Sequence, residues 1–193
     1  LRVLGLDPGR FTVLVLGGSQ GARFLNATVR ESLEKLDDLK KSLQWIHLAG
    51  TEDADAVRAA YAQKGWRAAV FAYYEQMGVC YGASDLVVSR SGASTLSEVI
   101  ANGLASVLVP YPQAVRDHQK KNAKVLSERG AALLLDQSQL TPSAFTTVLR
   151  SLLRDGGRLD KMRRAAKNLH RGDAADAIAR ELFGMFSGGR GGK

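Results

Sequence analysis

One cysteine, Cys80, stands in a chain of 193 residues. A single thiol excludes an internal disulfide and fits a reducing compartment, where it is expected to pack as a small hydrophobe. Long apolar runs are missing as well. None approaches the roughly 20 residues that a membrane-spanning helix requires. Residues 1–10 lack the charged-then-apolar layout of a signal peptide and are expected to be a linker or a cut end. No histidine or cysteine cluster has metal-ligand spacing, so a metal site is not expected. No Gly-x-Ser-x-Gly elbow occurs, which removes the usual serine hydrolase arrangement. Aromatic residues are only 7% of the chain and are not interleaved with the basic ones. Stacking platforms for single-stranded nucleic acid are therefore lacking, and no nucleic-acid partner is expected.

What is present is the composition of a globular domain, 45% hydrophobic and 24% charged. Apolar runs rich in β-formers alternate with helical patterns. Candidate strands are Thr12–Leu16, Trp45–Ala49, Ala69–Phe71, Leu86–Ser89, Ser106–Val109 and Ala132–Leu135. Helices are expected near Ala22–Leu36, Ala54–Lys64, Met77–Gly82, Thr95–Ala101, Asp117–Arg129 and Pro142–Arg154. In the first, Leu25, Val29, Leu33 and Leu36 form one apolar stripe. The strands are too continuously apolar for a sheet with one wet face. The expected fold is α/β, a doubly wound parallel six-stranded sheet with right-handed crossovers. Its ligand would sit at the carboxyl ends of the strands. The sheet domain is drawn at 11–155, followed by C-terminal helices at 156–186 (Arg158–Leu169 and Ala174–Phe186) and a low-complexity, disordered tail at 187–193.

The formal charge is +8, with the excess late in the chain, at Arg150, Arg154, Arg158, Lys161, Arg163, Arg164, Lys167 and Arg171. A solvated helix face comes first among the readings of that patch, attraction to an anionic membrane surface next and nucleic-acid binding last.

Three segments follow strands and carry chemistry. The first is Gly17-Gly18-Ser19-Gln20-Gly21-Ala22-Arg23. Glycine lets backbone approach a ligand closely, and a helix start offers unpaired N–H groups with about half a positive charge. That combination suits a phosphate. Ser19 occupies the place where the dinucleotide fingerprint wants glycine, and no Walker lysine follows, so NAD, FAD and ATPase readings are disfavoured. Ser19 either caps the turn or bonds a phosphate oxygen. The second segment is Arg90-Ser91-Gly92-Ala93-Ser94-Thr95, with Glu98 one turn on. Thr95 to Glu98 matches a capping box, in which Glu98 returns to the backbone of Thr95. The alternative has Glu98 accepting ribose hydroxyls while amides of Ala93 to Thr95 hold a pyrophosphate. The third segment runs from Pro110 through His118 and Gln119 to Asn122, with neutral donors and acceptors suited to sugar hydroxyls.

In their order and separation, Gly-Gly-Ser-Gln-Gly-Ala-Arg at 17–23, Ser-Arg-Ser-Gly-Ala-Ser-Thr-Leu-Ser-Glu at 89–98 and Asp-His-Gln-Lys-Lys-Asn-Ala at 117–123 resemble the MurG family. These are the UDP-N-acetylglucosamine transferases that complete lipid II in peptidoglycan synthesis. The resemblance runs from about Leu1 to Leu153 and implies the C-terminal, Rossmann-like half of a GT-B glycosyltransferase. It implies that Ser19, with Gln20 beside it, contacts the diphosphate, that the Tyr73–Tyr74 backbone faces uracil, and that Glu98 reads the ribose. The amides of Ala93, Ser94 and Thr95 would face the phosphates, His118 and Gln119 the N-acetylglucosamine, with Ser91 and Gly92 in the donor site and Arg90 and Asn122 further pocket residues. It further implies an inverting transfer with no metal or cofactor, at the cytoplasmic face of the inner membrane. The lipid I acceptor site and the base would lie in an N-terminal domain without counterpart in these residues, so this chain alone would transfer sugar poorly. A one-domain transferase subunit with a membrane-anchored partner, and a non-catalytic nucleotide-sugar or RNA-binding module, are the rival readings.

Overall fold

A computed structural model describes residues 1–17, 23–114 and 117–170. Six strands alternate with helices: β1 Phe11–Leu16, α1 Arg23–Ser32, β2 Leu43–Leu48, α2 Ala54–Gln63, β3 Ala68–Phe71, α3 Met77–Gly82, β4 Leu86–Ser89, α4 Ala93–Ala101, β5 Ala105–Leu108, α5 His118–Glu128, β6 Ala132–Leu134, α6 Pro142–Arg154 and α7 Gly156–Leu169. All pairings are parallel, in the order β3-β2-β1-β4-β5-β6. The expected doubly wound α/β sheet is therefore what forms.

The alternation of side chains along β1 shows why both faces had to be apolar. Val13 and Val15 join Trp45, Leu25, Val57 and Phe145, the layer beneath α1, α2 and α6. Leu14 and Leu16 join Cys80, Tyr81 and Val99, the layer beneath α3 and α4. Each strand residue thus meets a helix on one side or the other, and no strand of β1's length could keep a wet face here.

One expectation is corrected by packing. The apolar stripe Leu25–Leu36 is not one helix: α1 ends at Ser32 and a 3-10 stretch Glu34–Leu39 follows. Ser32 Oγ donates to Thr28 O at 2.6 Å, with Pro142 O a second acceptor within reach at 3.2 Å. The hydroxyl thus competes for backbone at the helix end beside α6. Leu33 and Leu36 remain buried in the changed geometry. Residues 1–10, expected as a linker or a cut end, lie against the body. Leu4 and Leu6 are buried, and Asp7 exchanges hydrogen bonds with Gln44 (Asp7 N to Oε1 at 2.9 Å, Nε2 to Asp7 O at 2.7 Å). The expected helix at 174–186 and the tail at 187–193 lie outside the described residues.

Candidate functional site

Leu16 and Ser89 are in register at the carboxyl ends of β1 and β4. From there the chain departs to opposite faces of the sheet, toward α1 on one and α4 on the other. This is the topological switch point at which parallel α/β sheets bind ligands. Ser19 and Gln20 lie outside the described residues. The first turn of α1, just beyond them in the chain, is well tied. Arg23, opening α1, pairs with Glu52, and Asn26 in the same turn donates to Ala49 O and to Asp53 Oδ2.

The β4 side carries the more complete geometry. α4 begins at Ala93, two residues before the expected start, with Gly92 extended at its N-cap (φ −65°, ψ 145°). Glycine supplies no side chain to cap the turn, so the first amides of α4 keep the partial positive charge of an uncapped helix start. The earlier start also moves Thr95 inside the helix, and the capping box does not form. Glu98 instead accepts a hydrogen bond from the Tyr81 hydroxyl at 2.6 Å. Burial first, and the Glu98 carboxylate second, push the Tyr81 pKa upward, so the phenol stays protonated and donating.

The second and third segments are knitted together. Ser91, buried, donates through Oγ to Gln119 O at 2.8 Å, and Asn122 Nδ2 donates to Ser91 O at 3.2 Å. The Tyr111 N–H donates to Gln119 Oε1 at 3.0 Å. Arg90 turns into the body: its Nη1 donates to Val109 O at 3.0 Å and Pro110 O at 3.2 Å, and its guanidinium lies 5.4 Å from the centre of the Tyr111 ring. Burial draws the Arg90 pKa below the ordinary arginine value. Ser91, Arg90, Gln119 and Asn122 are thus engaged in holding two loops at fixed separation. His118 opens α5 at the same edge and is exposed. Asp117 before it adopts φ 54°, the one non-glycine residue with positive φ among those described. Such backbone costs of order 1–3 kcal/mol and clusters at ligand sites. Tyr73 projects into solvent at 72% exposure, whereas Tyr74 packs its ring 4.6 Å from Phe71, fixing the backbone after β3.

A cavity of about 350 Å³ lies next to the third segment, between Tyr111, Lys120, Asp136 and Gln137. Among the described residues no group of three or more histidine, cysteine, aspartate or glutamate side chains could hold a metal ion. No described helix is long and apolar enough to cross a membrane.

Residues 12–178 match the family described as Glycosyltransferase family 28 C-terminal domain. The chain belongs to this family. It is 43% identical over 170 residues to the UDP-N-acetylglucosamine–N-acetylmuramyl-(pentapeptide) pyrophosphoryl-undecaprenol N-acetylglucosamine transferase of Myxococcus xanthus, covering 88% of this chain and 44% of that one. To the same-named transferase of Nitrosospira multiformis it is 41% identical over 179 residues, 93% of this chain and 49% of the other. The chain spans about half the length of the curated relatives it matches. Among solved structures, Acinetobacter baumannii MurG superposes with a TM-score of 0.78 at 32% identity, over 88% of this chain and 50% of that one. The calicheamicin glycosyltransferase CalG4, at 16% identity and TM-score 0.70, covering 96% and 46%, shares the fold.

For this family 28 domain, sequence motifs located the loops but missed their supports. Tyr81, the partner of Glu98, sits in a short helix without a distinguishing pattern. Tyr61, His47 and Asp53, which brace the start of α1 through Asn26, are spread over β2 and α2.

Proposed function

We propose that this chain is the donor-binding half of a UDP-N-acetylglucosamine transferase that converts lipid I to lipid II. The single observation that carries the reading is the uncapped start of α4 with the Glu98 carboxylate one turn inside it, at the crevice between β1 and β4. The chemistry asked of such a site is modest and electrostatic. When the acceptor hydroxyl attacks the anomeric carbon, negative charge grows on the departing diphosphate. Preorganised amides at two helix starts, each end worth about half a positive charge, stabilise that charge without reorganisation. In this reading they take the place of a metal. Ser19 and Gln20 accompany the diphosphate, and the amides of Ala93 to Thr95 face it. Glu98 reads the ribose, the backbone at Tyr73–Tyr74 meets uracil, and His118 and Gln119 reach the sugar. Arg90, Ser91 and Asn122 keep the second and third loops together.

The acceptor, its base and any inverting stereochemistry belong with the half of the relatives that this chain does not match. A lipid-linked acceptor places the reaction at a membrane surface, which a peripheral cytoplasmic protein can reach. The exposed basic side chains of α7, Lys161 and Arg164 among them, suit an anionic surface.

Ligand-induced stabilisation tests the reading. UDP and UDP-N-acetylglucosamine at millimolar concentration should each raise the Tm of the chain with magnesium removed by chelator. A flat Tm with both ligands ends the donor-domain reading. A rise only when magnesium is restored ends the metal-free part of it.

A further inference from the structure

Glu98 is exposed, and an exposed glutamate ordinarily samples several rotamers. Here a donor rooted in the core reaches it. Tyr81 is 2% exposed, its ring packed with Cys80, Val87, Val99 and Leu104 beneath α4. Only its hydroxyl reaches the carboxylate, and the 2.6 Å bond to Oε2 is in the range of a charge-assisted O–H···O⁻ contact. The ring position is fixed by packing between β4 and α4, so the bond fixes Glu98 in turn. A carboxylate offers about four lone-pair directions, and the phenol takes one. Oε1 and the remaining Oε2 direction stay available to a ligand. A pair of adjacent hydroxyls, as on a ribose, is the donor set that such a half-occupied carboxylate fits.

We propose that Tyr81 is a positioning residue for nucleoside recognition: it holds the Glu98 carboxylate in the one orientation that accepts from a ribose diol. The inference rests on the donor-site reading of Glu98. It assigns to a buried phenol, absent from the recognisable motifs, part of the selectivity for a ribonucleotide over a deoxyribonucleotide.

The test is titration calorimetry of the chain with UDP and with 2′-deoxy-UDP, on the parent, Tyr81→Phe, Glu98→Gln and the double variant. The parent should prefer UDP. Tyr81→Phe removes one oxygen from a packed ring, and should weaken UDP about three- to tenfold, the size of effect one hydrogen bond carries. It should narrow the UDP to 2′-deoxy-UDP ratio as well. On the Glu98→Gln background the same change should cost less than about twofold, since the group it positions is gone. Parent-like affinity and ratio in Tyr81→Phe, with or without a lower Tm, overturn the proposal, as do fully additive losses in the double variant. Should Tyr81→Phe fail to fold, Glu98→Asp carries the test at an exposed position. Its carboxylate, one methylene shorter, falls out of reach of Tyr81, and the ratio should narrow at least as far. A parent-like ratio in Glu98→Asp overturns the proposal. If the parent itself binds neither nucleotide, the donor-site reading fails and takes this inference with it. If the parent binds and the Tyr81 variants match it, this inference alone falls.

Discussion

His47 and Asn26 meet inside the molecule, Nε2 to Oδ1 at 2.9 Å, and that bond fixes the tautomer of a buried imidazole. Asn26 Nδ2 already donates to Ala49 O and to Asp53 Oδ2, so its Oδ1 must accept. His47 therefore carries its proton on Nε2. Its bare Nδ1 accepts from the Tyr61 hydroxyl at 3.1 Å. The chain Tyr61–His47–Asn26–Asp53 runs from α2 through β2 and α1 to the start of α2, every member satisfied, and it ties the first turn of α1 to the sheet.

This network predicts a pH dependence. Burial lowers the His47 pKa from its ordinary value to about 3, with Asp53 opposing weakly. The unfolded chain, with an ordinary histidine, binds the proton more readily than the folded one below about pH 6.5. The stability contributed by neutral His47 is therefore complete above pH 6.5 and is lost as pH falls from there toward 3. Its slope approaches about 1.4 kcal/mol per pH unit. Urea unfolding across pH 4–7 should show that slope, and His47→Gln should flatten it by one proton.

The same residue predicts an ordering of variants. His47→Leu strands Asn26 Oδ1 and the Tyr61 hydroxyl, and should cost about 2–5 kcal/mol. His47→Gln keeps a donor near the Nε2 position and should recover part of that loss. Equal losses in the two, by chemical denaturation, would show that shape and not hydrogen bonding matters at this site.

Arg90 should act on the loop after β5. Arg90→Met keeps the buried stem but leaves Val109 O and Pro110 O without their donor. A loss of about 1–3 kcal/mol is expected, together with faster hydrogen exchange at the Tyr111 amide. Arg90→Lys should recover only part of it, because the ammonium can donate to the two carbonyls but loses the guanidinium's contact with the Tyr111 ring.

Gly103 adopts φ 60°, and a Cβ there would press on Cγ of Lys167, where α7 crosses behind α4 and β5. Gly103→Ala should cost about 1–2 kcal/mol in denaturant unfolding. Adding Lys167→Ala should return the crowding part and leave the conformational part. Full recovery in the double variant would show that backbone strain contributes nothing.

Cys80 is fully buried, and burial pushes its thiol pKa up to about 11. The folded chain should resist a thiol reagent at pH 8 and label only as it opens, so the labelling rate reports unfolding. Immediate stoichiometric labelling without denaturant would contradict the packing of α3 against β4.

The alternation of apolar runs with helical patterns was enough to specify a parallel sheet, because strands apolar on both sides have no other stable home. Spacing likewise placed glycine-bearing turns at the carboxyl edge, since only that edge is where strands of a parallel sheet hand over to helices. These are local rules acting within about ten residues. What Glu98 does is not local. Its spacing from Thr95 fits a cap, and only the packing of α3 and α4 on the same face of the sheet brings the Tyr81 hydroxyl to 2.6 Å and turns the carboxylate elsewhere. The end of α1 at Ser32 was hidden as well, where the side chain lies against Pro142 O of α6, 110 residues away in the sequence. Periodicity and turn chemistry therefore determined the sheet, its order of elements and the edge where its strands hand over to helices. Tertiary contact alone decided which polar side chains are free to meet a ligand, because a hydrogen bond goes to whichever partner folding brings within about 3 Å.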